Sequence, residues 1–171
     1  VVAQDSARIV PLRVSTRTTR AVSDTDGKMP ATLRLTDLDP AEALGAISGA
    51  VQLTYAFEPD SNWIRLEPAH GLAIRGRPSA IGVWVRGDVT YPILRQRFRD
   101  SGGRTFQPCF ERLEFEGWRY LTTRLDNPWL QSAGNPDNPH HICYPIRMDS
   151  FIMVDHRRRP ISGQVLSLIH I

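Results

Sequence analysis

Thirteen prolines and twelve glycines interrupt this 171-residue chain so often that no stretch sustains the 3.6-residue apolar period of a helix. Proline has no amide to give to a helix interior or a ladder, and glycine weakens a helix by about 1 kcal/mol relative to alanine. Between these breaks the apolar residues alternate instead, as the two faces of a strand require. "ATLRLTDLD" alternates from Ala31 to Leu38, and "VQLTYAFEP" sets Val51, Leu53, Tyr55 and Phe57 on one side. "NWIRLEP" and "LAIRGRP" are further strands, each stopped by a proline. "AIGVWVRGD" turns Ile81, Val83 and Val85 one way and Gly82, Trp84 and Arg86 the other. In "ILRQRFRDSGGRTFQ", Leu94, Gln96 and Phe98 alternate against Arg95, Arg97 and Arg99, and "DSGG" returns the chain into "RTFQPCF" as a hairpin. "GWRYLTTRL" presents Leu121 and Leu125 to a core, and "YPIRMDSFIMVD" is the last clear strand. "PAEALGAISGA" is short and broken by Gly45 and Gly49, so it reads as one helical turn or a loop. Many short strands with turn signals between them define an all-β chain, an antiparallel β-sandwich.

Composition narrows the function classes. An apolar fraction of 41% suits a packed core, and no apolar run nears the roughly 18–20 residues of a transmembrane helix. The formal charge is +3 and Lys28 is the only lysine, so the basic side chains are almost all guanidinium forks. GC-rich coding would produce that bias; so would a need to grip carboxylates, sulfates or sugar hydroxyls. Acidic residues are interspersed along the whole chain, which argues against nucleic acid as a partner. Cys109 and Cys143 are the only cysteines; their spacing specifies no zinc site and leaves open a single disulfide or two free, buried thiols.

Residues 1–30 are polar and rich in Thr, Ser and Arg, and read as a linker or the end of a preceding module. The last six residues, "LSLIHI", match the translation of transposon mosaic-end DNA used in sequencing libraries. On that reading 166–171 are an adapter artefact outside the fold, the domain proper is 31–165, and the chain is a piece of a longer reading frame.

The ordered series "NWIRLEP", "AIGVWVRGD", "LRQRFRDSGGRTFQ", "FEGWRYLTTRL" and "PIRMDSFIMVD" resembles the galactose-binding-like jelly-roll modules of large bacterial secreted and surface proteins. These include many carbohydrate-binding modules and accompany glycoside hydrolases, phosphodiester glycosidases and Ig-like repeats. Two departures stand out. Such modules have Gly-Ser after "GD", where this chain has Val89, Thr90, Tyr91 and Pro92. They also end in a strand that "SGQV" only begins, so the sandwich is expected to lack its last strand, leaving an edge or a packing gap.

The resemblance implies a non-catalytic module that tethers a multidomain protein to polysaccharide outside the cell or at its surface, with no membrane insertion. The partners would be a glycan and the other domains of the same chain. The alternative it leaves is a structural spacer or adhesion module between Ig-like repeats, with no ligand of its own. With Ile81, Val83, Val85, Leu94 and Phe98 inward, Trp84, Arg86, Arg95, Arg97 and Arg99 are expected to share an outer face. Tyr120 joins them if its strand neighbours that sheet. A pyranose stacks its apolar face on an exposed Trp while guanidinium groups take its hydroxyls or acidic substituents. The plainer reading is a solvated arginine face, with Trp84 covered by the Pro/Asn/His-rich loop 127–141. Trp63 and Trp118 are expected in the core, and Trp129 is a candidate for lining a groove.

Catalytic motifs are missing: the chain contains no G-x-S-x-G, no H-E-x-x-H and no P-loop. Glu111, Glu114 and Glu116 cluster near a turn and read as solvated charges, and His140, His141 and His156 lack ligand spacing. No cofactor is expected. A structural calcium suits the fold family, with Asp149 and Asp155 as its weak candidates. The Arg86-Gly87-Asp88 tripeptide spells an adhesion signal. It is read instead as a strand end and the turn after it, in which Gly87 tolerates a positive φ and Asp88 caps its own backbone.

Overall fold

The computed structural model describes residues 19–23, 31–37, 49–57, 63–68, 71–125, 141–157 and 159–170. The readings made for residues 40–48, for the 127–141 loop up to His140 and for Trp129 and His140 lie outside these residues, while Gly49, at the end of "PAEALGAISGA", opens a strand. The strands, in chain order, are β1 (Thr19–Ser23), β2 (Ala31–Asp37), β3 (Gly49–Phe57), β4 (Trp63–Pro68), β5 (Leu72–Ile74) and β6 (Ala80–Asp88). They continue as β7 (Ile93–Asp100), β8 (Thr105–Phe106), β9 (Cys109–Arg112), β10 (Glu116–Arg124), β11 (Ile146–Val154) and β12 (Ile161–His170).

They form two antiparallel sheets. The larger has seven strands, ordered β1-β4-β11-β7-β8, with β5 also on β11 and β9 also on β7; the smaller runs β10-β6-β12-β3-β2. Alternation decides which side of each strand meets the core. Leu53, Tyr55 and Phe57 of β3, Ile81, Val83 and Val85 of β6 and Leu121 of β10 are buried, as are Ile64 of β4, Leu94 and Phe98 of β7 and Met148, Phe151 and Met153 of β11. The β7–β8 hairpin stacks Phe98 on Phe106, ring centroids 5.1 Å apart. Gly103 of the "DSGG" turn has φ 81°, and its N–H closes the turn on the Asp100 carbonyl at 3.0 Å. Gln96 shares the inward side of β7 and is fully buried, with neither end of its amide hydrogen-bonded.

Three expectations change. The last strand is present: β12 passes through the "LSLIH" stretch, pairing Leu166 with Gln52 of β3 and with Arg86 of β6, and reaching Gly82 with His170. A ladder is made of backbone amides and carbonyls, so any non-proline sequence of extended conformation can complete it. Thr19–Ser23, inside the stretch read as a linker, pairs with β4 at the edge of the larger sheet. In so short a strand Ala21 and Val22 are adjacent, and no apolar alternation announces it. Finally, Gly87 lies within β6, and it is Val89 and Tyr91 that take positive φ, 62° and 72°. Gly87 is needed because a Cβ there would run into the Phe115 carbonyl and ring. The turn is held by Val89 N–H to Phe115 O (3.2 Å), Tyr91 N–H to Leu113 O (3.1 Å) and Leu113 N–H to Pro92 O (2.8 Å). Asp88 does cap its own backbone, accepting from Thr90 N at 3.3 Å, and also accepts from Gln164 N at 2.6 Å. Its carboxylate is thus tied to its own turn and to β12, which leaves the tripeptide a strand end rather than a presented loop.

Candidate functional site

Sheet membership divides the expected site. β6 belongs to the five-stranded sheet and β7 to the seven-stranded one. Trp84 and Arg86 therefore face out on one side of the sandwich and Arg95, Arg97 and Arg99 on the other, so these residues do not share a face. Alternation assigned every one of them correctly to an outside; the alternation of a single strand carries no label for which sheet the strand joins.

On the five-stranded sheet Tyr120 does join Trp84. In the β10–β6 ladder Tyr120 lies opposite Trp84, Trp118 opposite Arg86 and Thr122 opposite Gly82. The Trp84 and Tyr120 rings pack at 5.2 Å between centroids with a 44° tilt. Tyr120 is 42% exposed, while Trp84 and Arg86 are half-buried. Gly82 makes this possible, because any Cβ at that position would overlap the Tyr120 hydroxyl. Trp118, expected in the core, is half-buried on this outward side, and its indole N–H has no hydrogen-bond partner. Two strands over, Gln52 of β3 donates its amide to Gln164 of β12 at 2.9 Å; both point outward, Gln52 half-buried and Gln164 exposed. Aromatic rings and amides thus line one face across β10, β6, β12 and β3, a width of about 14 Å at ordinary strand spacing. The sequence reading missed Gln52, Gln164 and Gly82. Parity would have found Gln164 had its strand been carried past Val165.

The opposite face is built of guanidinium groups. Arg97 Nε lies 3.1 Å from Asp149 Oδ2, an ion-pair contact whose angle makes no hydrogen bond, and Arg99 reaches the same oxygen at 3.9 Å. Arg65 pairs with Glu67 and sits over the Trp63 ring at 5.5 Å. Trp63 is accordingly half-buried on this outer side, not in the core, because it alternates with the fully buried Ile64.

The remaining charged groups serve the fold. Asp100 accepts from Arg104 N at 2.8 Å, Arg104 Nε at 3.0 Å and Cys143 N at 3.0 Å. Burial opposes its charge, but these bonds and the Arg104 charge outweigh burial and hold its carboxyl below the ordinary carboxylate value. Asp155 is likewise desolvated, yet Arg157 binds it through Nε (2.8 Å), a second guanidinium nitrogen (3.0 Å) and the backbone (3.0 Å), and its pKa is lowered. Burial pushes the Tyr55 hydroxyl strongly up, so it stays protonated beside Thr90. Asp149 faces Arg97 and Arg99, and Asp155 is bound by Arg157. Among the described residues no group of three or more His, Cys, Asp or Glu side chains could hold a metal ion. Glu111, Glu114 and Glu116 are exposed, as are His141 and His156, and Glu111 meets Arg119 at 3.4 Å. Cys109 and Cys143 are both free, and both are exposed rather than buried. The Cys143 sulfur accepts a hydrogen bond from Arg104 at 3.0 Å.

No protein-family model matches the sequence, and no curated protein matches it. Among solved structures, the fold is similar to the family 11 carbohydrate-binding module of the cellulosomal cellulase Lic26A-Cel5E of Clostridium thermocellum. The TM-score is 0.56 at 8% identity, over 95% of this chain and 91% of that one. A family 11 module from Clostridium thermocellum in complex with a β-1,3-1,4-mixed-linked tetrasaccharide gives 0.55 at 11% identity, over 95% and 93%. Carbohydrate-binding modules from the β-sandwich superfamily, described for promiscuous specificity, give 0.51 at 8% identity, over 92% and 58%. The chain therefore has the β-sandwich fold of carbohydrate-binding modules.

Proposed function

We propose that this chain is a non-catalytic glycan-binding module, and that its sugar-binding surface is the outer face of the five-stranded sheet. One observation carries the reading: an exposed Tyr120 packs against a half-buried Trp84 on the outer sheet face, with Gly82 keeping the space that Tyr120 fills. Tilted rings offer π surfaces to the C–H side of a pyranose, and the Gln52 and Gln164 amides and Arg86 supply donors and acceptors for its hydroxyls. A solved module of this fold holds a mixed-linked tetrasaccharide, which supports a β-glucan as the first probe. Binding of this kind works by proximity. A module of modest affinity raises the effective concentration of whatever is joined to it at the polysaccharide surface. That role belongs to a secreted or surface protein with further domains.

Affinity electrophoresis through gels containing neutral polysaccharides, mixed-linkage β-glucan first, tests the reading. The protein is expected to be retarded, and Trp84→Ala to lose roughly tenfold to a hundredfold in affinity, the worth of one buried aromatic side chain. Retention of no neutral polysaccharide, or retention unchanged in Trp84→Ala, overturns the reading and leaves a structural spacer.

A further inference from the structure

We propose that the outer face of the seven-stranded sheet is a second binding surface, separate from the aromatic one, that takes the carboxylates of an acidic glycan chain. It rests on the glycan-binding reading only for the class of polymer; its residues lie on the other side of the molecule.

The ladders place its groups in rows. Arg65 of β4 and Arg95 of β7 both lie opposite Ile152 of β11, Arg97 lies opposite Ser150, and Arg99 opposite Arg147. Successive outward residues on one strand are about 6.6–6.8 Å apart, so Arg95, Arg97 and Arg99 form an evenly stepped line of forks. Among the described residues, Glu67 and Asp149 are the carboxylates facing these arginines: Glu67 pairs with Arg65, and Asp149 is shared by Arg97 and Arg99. Glu111 on the neighbouring β9 is turned to Arg119. Arg95, at the centre, has no ion pair or hydrogen bond with any described residue.

A second, independent observation is the set of buried polar atoms here that make no hydrogen bond, even where an ion pair is present. Nε of Arg65, Arg95 and Arg97 is buried with no hydrogen-bond acceptor, and the hydroxyl of Ser150, a residue with no exposed surface, has none either. Such groups are rare in a folded chain because each costs desolvation without return. Ile152 and Val154 point outward on the same face yet are 8% exposed each. An apolar floor of that kind lies under the long aliphatic stems of arginines and holds their heads in place. About a quarter of the Arg65 and Arg97 side chains stays accessible, 26% and 23%. Planar forks held in a row over an apolar floor match planar carboxylates spaced along a polymer. Glu67 and Asp149 interrupt the positive potential that a phosphate backbone would need, which favours a uronate chain over nucleic acid.

The experiment compares polygalacturonate, dextran sulfate, single-stranded DNA and mixed-linkage β-glucan by affinity electrophoresis, at low salt and at about 1 M salt, where screening is nearly complete. Polygalacturonate is expected to retard the protein at low salt only. Arg95→Gln is expected to weaken this about tenfold, the effect of one charge-assisted hydrogen bond. Arg99→Gln, whose side chain is 54% exposed, provides the same test by a smaller loss should Arg95→Gln fail to fold. Trp84→Ala is expected to leave polygalacturonate binding unchanged while it loses the β-glucan. No retention by polygalacturonate overturns the proposal, and so does retention untouched by both arginine variants. Loss of polygalacturonate binding in Trp84→Ala would show one site, not two. Tighter binding of dextran sulfate or DNA would overturn the carboxylate assignment.

Discussion

On the outer side of the five-stranded sheet the partly covered positions are Trp84, Arg86 and Trp118, with Tyr120 in the open beside them. On the outer side of the seven-stranded sheet the corresponding positions are Trp63, Arg65, Arg95 and Arg97. One face is aromatic and shaped by the missing side chain of Gly82; the other is cationic and shaped by buried Ile152 and Val154. Both are backed by the same core, so their difference is one of side-chain chemistry alone. A pair of tilted rings and a line of charges select different features of a polymer, its apolar sugar faces or its acidic groups.

The largest effect on this comparison should come from Asp100, which ties the end of the cationic sheet to the segment around Cys143. Asp100→Ala leaves the amides of Arg104 and Cys143 without their acceptor and is expected to lower unfolding stability by about 1–3 kcal/mol. If the faces are independent, β-glucan affinity should not move. The pH dependence follows from the depressed pKa. The carboxylate's contribution is full above its unfolded value of about 3.9 and is lost as pH falls through the lower, folded value. Denaturant melts from pH 7 to pH 2 should therefore show the gap between the wild type and Asp100→Ala closing in acid. A constant gap would assign the effect to something other than the charge.

A smaller effect is expected of Gly82→Ala. The added methyl must push the Tyr120 ring off its place, undoing a pair worth about 0.5–1.5 kcal/mol. Titration with mixed-linkage β-glucan should show a loss of about threefold to tenfold, with polygalacturonate unaffected. Equal loss for both polymers would mean that the two faces communicate. Smallest is Gln96→Leu, inside the core that both faces share. Removing a fully buried amide with no partner is expected to raise stability by about 0.5–1 kcal/mol in thermal or urea unfolding, while both affinities stay fixed. A destabilised variant would reveal a partner for the Gln96 amide.

Most strand bodies were legible before any coordinates. "AIGVWVRGD" reads as one strand and is one strand, because Ile81, Val83 and Val85 alternate against Gly82, Trp84 and Arg86 and prolines 78 and 92 flank the run. Tyr120 beside Trp84 was anticipated on the condition of neighbouring strands, and that condition holds. Three things were hidden for separate physical reasons. β1 is only five residues long and sets Ala21 and Val22 side by side, so no apolar alternation betrays it. β12 continues through residues that looked foreign, since backbone pairing does not depend on which side chains it carries. Trp118 and Trp63 are expected in the core, yet Trp118 shares the outward parity of Tyr120 and Trp63 that of Arg65.

By itself, then, the sequence determined that this protein is built of short antiparallel strands, and which side of most strands meets the core. That information is local: alternation, proline and glycine act over two to six residues. Only the tertiary structure decided that β6 and β7, joined by a four-residue turn, part into different sheets. That separation places Trp84 and Arg95 on opposite sides of the molecule. Partner choice between strands is settled by long-range packing and backbone hydrogen bonds, which no single strand's pattern records.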